Sequence, residues 1–209
     1  FEKPSEIQKR AIVKIIEGKD IIAQAQSGTG KTATFTIGML ESMDTESNTN
    51  QVLIMSHTRE LSQQIFNVIK NISKYMKINI NLSVGGVSIG DNIESLRKKP
   101  QIIIGTPGRV LDMIHKRYIN VSTLKMLILD EADELLSHIF ITQIYDIFQN
   151  LPPKIQVCLF SATMNESFFS ITKKFMRDPV KILVKTEELT LEGIKQFYID
   201  IEKNDFKYE

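Results

Sequence analysis

The chain is short of several things, and each shortage closes a class of explanation. One cysteine, Cys158, leaves no partner for an internal disulfide and suits a reducing compartment. Its setting, IQVCLF, reads as a buried strand in which the thiol packs as a small hydrophobe. Three scattered histidines and that cysteine cannot build a closed structural zinc site. No run of about 18 or more apolar residues occurs, so no membrane-spanning helix is expected. Net charge is nearly absent: 26 Lys and Arg against 25 Asp and Glu announce no nucleic-acid partner by their total, and a local basic patch is a separate quantity. The opening FEKPSEIQ starts at Phe1 rather than Met and is no secretion signal, so the chain reads as cut at its start.

What is present is ordinary globular material. The 209 residues are 42% hydrophobic and 24% charged, which suits one domain with a sizeable core, or one domain plus a fragment. Seven short bursts rich in Ile, Val and Leu stand at 20–25, 51–56, 80–84, 101–106, 126–130, 156–161 and 180–185, as strands buried on both faces should. Helical patterns lie between them. Ile7, Ala11, Ile12, Ile15 and Ile16 line one face of 7–18, closed by Gly18, and Leu61, Ile65, Val68, Ile69 and Ile72 do the same in 59–75. A third helix is expected over 166–176. Strand–helix alternation predicts an α/β fold of three layers, a mostly parallel sheet with helices on both faces. In such folds ligands bind beyond the carboxyl ends of the strands. Residues 44–50 read as a polar loop and 185–193 as a linker. The stretch 196–209 alternates like a strand and stops without a partner, like the start of something truncated.

The segment Ala25, Gln26, Ser27, Gly28, Thr29, Gly30, Lys31, Thr32 joins the first strand to a helix beginning near Lys31. This is the context of a phosphate-binding loop. Gly28 and Gly30 let backbone N–H groups turn inward around phosphate oxygens, and the helix N-terminus adds its partial positive charge. Lys31 is placed to reach β- and γ-phosphates, and the Thr32 hydroxyl to ligate Mg²⁺. The customary first glycine is Ala25 here. A second motif, MLILDEAD at 126–133, ends a buried strand in adjacent acids. Asp130 suits Mg²⁺ held largely through water, and Glu131 suits orienting and deprotonating an attacking water. Asp133 reads as well as a solvated helix-start acid.

DEAD at 130–133, together with AQSGTGKT, resembles the DEAD-box RNA helicases, and further motifs match in that family's order. FEKPSEIQ resembles the adenine-recognising Q motif, HTREL (57–61) motif Ia, Gly85-Gly86 the double glycine, TPGR (106–109) motif Ib and SAT (161–163) motif III. The segments 172–185 and 188–199 look most like the eukaryotic initiation factor 4A group. The resemblance implies a RecA-like P-loop NTPase domain over 1–185, followed at 186–209 by a linker and the start of a second RecA-like domain. It implies ATP and Mg²⁺ as cofactors. Phe1 would stack on adenine beside Pro4, and Gln8 would read its edge; Ser5-x-x-Gln8 is equally a helix capping box, and both can hold together. Lys31, Asp130, Glu131, Ser161 and Thr163 would form the catalytic set, with Ser161 and Thr163 linking the DEAD carboxylates to the RNA-facing surface. A plain polar turn is the bland alternative for that pair.

Thr58, Arg59, Gly86, Thr106 and Arg109 would contact the sugar-phosphate backbone of single-stranded or short duplex RNA, without sequence preference. Arg109 has a purely structural alternative. The chain departs from the family at three places: His57 replaces a proline, Ser62 an alanine, and His138-Ile139 stands where a glycine is usual. None falls on a nucleotide residue, and surface or packing roles are expected for His57 and His138. The implied activity is ATP-dependent RNA unwinding in translation initiation, near scaffold proteins of the initiation-factor or exon-junction type. The implied location is the cytoplasm, with the nucleus as alternative. An ATP-locked RNA clamp fits the same motifs. A P-loop NTPase unrelated to RNA would need no TPGR, double glycine or SAT.

Overall fold

The computed structural model describes residues 3–164 and 166–183, the side chain of Ser167 excepted. Phe1, the expected linker and tail, and the expected domain boundary after 185 lie outside the described residues.

Among the described residues seven strands form one parallel sheet: β1 Ile21–Gln24, β2 Val52–Met55, β3 Ile80–Ser83, β4 Ile102–Gly105, β5 Met126–Asp130, β6 Gln156–Ser161 and β7 Val180–Leu183. Their spatial order is β3-β4-β2-β5-β6-β1-β7. Eight α-helices accompany them among the described residues: α1 Glu6–Ile16, which precedes β1, and α2 Lys31–Ser42, α3 Arg59–Ile72, α4 Ile89–Arg97, α5 Pro107–His115, α6 Ala132–Leu135, α7 Ile141–Asn150 and α8 Glu166–Thr172. The apolar bursts are continuous because strand side chains alternate between two separate cores. Ile54, Ile104, Ile128, Cys158 and Phe160 pack on one face with Ile7, Ala11 and Ile15 of α1, Phe35 and Met39 of α2, and Ile65 and Ile69 of α3. Their strand neighbours Leu53, Ile103, Leu127, Leu129 and Leu159 turn to the other face against Val110 and Met113 of α5 and Ile144 and Ile147 of α7.

Burial on both faces fails at the two outer strands. In β3 only Asn81 and Ser83 are fully buried, and in β7 only Ile182 is. An edge strand has a neighbour on one side alone, so its cover is thinner. Helix α3 stops at Ile72 and α8 at Thr172, each three or four residues before the expected end. Cys158 is fully buried and burial pushes its thiol far above the ordinary range, as a packed core cysteine requires.

Candidate functional site

Because every strand pair runs parallel, all the carboxyl ends open onto one edge of the sheet. Across that edge stand, in order, the turn after β3 with Gly85-Gly86, Thr106 after β4, Thr58 and Arg59 after β2, Asp130 and Glu131 at β5, Ser161 and Thr163 at β6, and the glycine loop after β1. The sequence motifs thus fall into two adjacent groups.

The loop at 25–30 is closed on itself. Thr29 Oγ1 donates to the Gln26 carbonyl at 2.7 Å, and Lys31 Nζ donates to the Ala25 carbonyl at 2.7 Å. Gly28 (φ 83°) and Gly30 (φ 91°) take the left-handed backbone expected of them. Gly30 also has no room for a side chain: a Cβ would lie 2.7 Å from Gln8 Nε2. That approach joins the N-terminal motif to the loop. Gln8 is at the same time the third residue of a capping box, its Oε1 accepting from Ser5 N–H at 2.9 Å and its own N–H donating to Ser5 Oγ at 3.4 Å. The cap orients the amide and leaves Nε2 facing the loop. Pro4 is exposed beside it.

Asp130 closes β5 at 3% exposure. Burial pushes its carboxyl up to about 6, against the pull of the Lys31 ammonium and the N–H of Glu131, which donates to Asp130 Oδ1 at 3.1 Å. A carboxylate so poorly solvated favours an added cation. One carboxylate and the Thr32 hydroxyl, with water filling the rest, suit Mg²⁺, which keeps much of its hydration. Among the described residues no cluster of three His, Cys, Asp or Glu could cage a metal. Glu131 sits at φ 52°, ψ 53°, a left-handed conformation uncommon for a non-glycine residue and typical of functional turns.

Motif III reaches the DEAD segment through its last carboxylate, Asp133, which was not among the expected catalytic residues. Thr163 donates to Asp133 Oδ2 from its hydroxyl at 2.5 Å and its N–H at 3.2 Å, while Ser161 Oγ donates back to the Thr163 carbonyl at 2.5 Å. Of the pair, Thr163 bonds Asp133 and Ser161 bonds Thr163, and among the described bonds Asp130 and Glu131 receive none from either. The signal was the DEAD spelling itself, in which Asp133 follows the catalytic pair by one turn.

In the other group, Thr58 caps α3, accepting from Leu61 N–H at 3.1 Å, and Thr106 caps α5 with Pro107 at its first position and no side-chain cap bond. Two helix N-termini thus open side by side where phosphates would find free N–H groups. Arg59 lies over the double glycine: a Cβ on Gly86 (φ 79°) would fall 2.0 Å from Arg59 Nη1. Arg109 donates to the Val87 carbonyl at 2.9 Å and to Asn92 Oδ1 at 3.4 Å. Asn92 in turn donates to Ser83 Oγ at 3.1 Å, and Ser83 to Asn81 Oδ1 at 2.7 Å. Arg109 therefore has a structural role on neutral partners, and the buried asparagines that hold it carry no motif by which to find them.

The departures land differently from expectation. His57 was placed away from the nucleotide residues, yet its Nδ1 stands 3.1 Å from Glu131 Oε2. Ser62 is fully buried, 2.6 Å from Ser56 Oγ, and donates to the Thr58 carbonyl. His138 lines a cavity of about 320 Å³ with Asp133 and Thr163, and Ile139 is exposed.

The DEAD/DEAH box helicase family matches residues 5–171 by sequence. The chain belongs to that family. Over its whole length it is 55% identical to the ATP-dependent RNA helicase eIF4A of Pyricularia oryzae, covering 53% of that protein. With the Chaetomium globosum protein of the same name it shares 56% identity, again over 53% of the relative. Solved DEAD-box structures share the fold. A DEAD box protein from the hyperthermophile Methanococcus jannaschii gives a TM-score of 0.85 at 35% identity, over 90% of this chain and 52% of that one. Saccharomyces cerevisiae Dbp5 bound to RNA and ADP BeF3 gives 0.84 at 33% identity, over 94% and 50%. The chain spans about half the length of the curated relatives it matches. The RecA-like P-loop architecture is that of the DEAD-box neighbours.

Proposed function

We propose that this chain is the nucleotide-binding half of an ATP-dependent RNA helicase acting on RNA without regard to sequence. The observation that carries the reading is the shared edge: a phosphate loop, an acidic pair and two helix N-termini flanked by Arg59 and the double glycine lie side by side. In this reading Gln8 and Phe1 hold adenine, backbone N–H groups of 26–32 hold the phosphates, and Lys31 leaves the Ala25 carbonyl for them. Thr32 and Asp130 would hold Mg²⁺ largely through water, and the ion would supply charge neutralisation at the phosphate oxygens. Glu131 orients a water whose oxygen bonds to the γ-phosphorus as the bond to the bridging oxygen breaks; one proton passes to Glu131 and ADP departs.

Thr58, Arg59, Gly86 and Thr106 take the RNA backbone, and Arg109 braces the loop before α4 as well as facing it. Thr163 and Asp133 tie the end of β6 to the helix start after β5 within the nucleotide group. The initiation-factor names of relatives sharing more than half of its residues support a role in translation initiation; scaffold proteins as partners and the cytoplasm as location are proposed as consequences of that role.

The test is ATP turnover of the full-length protein with and without single-stranded RNA. RNA should raise turnover, and Glu131→Gln should remove it while ATP still binds. If RNA leaves turnover unchanged, the RNA assignment fails.

A further inference from the structure

The two groups on the sheet edge meet between β2 and β5, and a histidine stands at the junction. Met55 pairs with Leu129 in register. His57 and Glu131 each follow that pair by two residues, on neighbouring parallel strands, so the register itself carries them together. His57 Nδ1 lies 3.1 Å from Glu131 Oε2, with the two side chains 24% and 37% exposed. The approach meets the distance of an ion pair but not the alignment of a hydrogen bond, and Nδ1 is buried with no other hydrogen-bond partner among the described residues. A small rotation of either side chain completes the bond.

The segment that carries His57 is braced from below. Ser56 N–H donates to the Gly105 carbonyl at 3.1 Å. Ser62 Oγ donates to the Thr58 carbonyl at 3.0 Å and touches Ser56 Oγ at 2.6 Å, both hydroxyls fully buried. Residues 56 and 58 are thereby fixed on either side of His57, and its ring is presented toward Glu131. Thr58 and Arg59, the first residues of the proposed RNA half, follow directly.

We propose that His57 is a positioning residue for the catalytic carboxylate of Glu131, through which the RNA-facing segment 57–59 sets the aim of the water-activating group. A proton on Nδ1 donates to Oε2 and holds the second oxygen, Oε1, free for water. The bond needs only that proton, so a neutral ring with its hydrogen on Nδ1 serves as well as a charged one. Glu131 has few other ways to be held: its backbone is in the left-handed region, and its carboxylate accepts no hydrogen bond among those described. The inference rests on the reading of Glu131 as the water-activating residue.

The experiment uses the full-length protein at saturating RNA and compares wild type with H57A, H57N, H57Q and E131Q. Asparagine places an amide nitrogen near the Nδ1 position, whereas glutamine places it near Nε2. The expected result is a loss of roughly 10-fold in kcat for H57A, with KM for ATP and RNA affinity within about twofold of wild type. H57N should recover most of that loss and H57Q little of it, and H57A should add nothing on top of E131Q. Asn and Gln variants of near-native melting temperature keep the comparison valid if the alanine variant unfolds. Wild-type kcat in H57A, or equal rates in H57N and H57Q, overturns the positioning role. Wild-type turnover in E131Q instead overturns the assignment of Glu131.

Discussion

Asp130 shows how one residue can work against its own fold. Its carboxyl is pushed up to about 6, so between roughly pH 4 and 6 the folded chain holds a proton that the unfolded chain has lost. With more protons on the folded side, stability falls as pH rises through that window, by up to about 3 kcal/mol, and the loss persists at neutral pH. Asp130→Asn keeps the shape and cannot ionise. The variant should melt higher than wild type at pH 7.5, by a margin that shrinks as the pH drops through about 6 toward 4, and should not hydrolyse ATP. A margin independent of pH would show that Asp130 is not the strained group. At this scale the motifs announced which residue types matter, while their pairings stayed hidden. Nothing in HTREL announces that His57 meets Glu131, since that contact depends on the register of two strands 70 residues apart. The Arg59 guanidinium over Gly86 is hidden for the same reason.

Elements were more legible than contacts. Seven bursts of Ile, Val and Leu became seven strands because each fills both cores, and only the thin cover of β3 and β7 departs from the pattern. Helices α4, α5 and α7 are less plain in the sequence: α4 and α5 are nine residues each, α7 is ten, and α5 begins on the Pro107-Gly108 pair of a motif that reads as loop. Helix α1 has the clearest ends. Its capping box also orients the Gln8 amide against Gly30, so a change made for helix stability reaches the nucleotide loop. Ser5→Ala should cost about 1 kcal/mol, a fall of about 2–4 °C in Tm for a domain of this size. It should also weaken ATP binding, though less than Gln8→Ala does. A melting temperature equal to wild type in a thermal scan would remove Ser5 from the cap, and unchanged ATP affinity would uncouple the cap from the loop.

At the scale of the whole molecule, the consequence is that one sheet edge carries everything and is covered by nothing described. Glu131 and Thr163 keep contact with solvent, and Lys31 spends its charge on a loop carbonyl. Stabilising charge on a transferring phosphoryl group needs donors converging in a site that excludes water. In related NTPases a single arginine brought from outside the loop is worth roughly 10³–10⁵ in rate. The described edge offers Lys31 on the phosphate side, while Arg59 and Arg109 are engaged at the glycine turn and the loop before α4. The 209-residue chain alone should therefore bind ATP weakly and turn it over at least about 100-fold more slowly than the full-length protein at saturating RNA. A phosphate-release assay on both makes the comparison. Equal rates would mean that this edge assembles the whole catalytic set by itself, and that Lys31 needs no help in stabilising the departing phosphate.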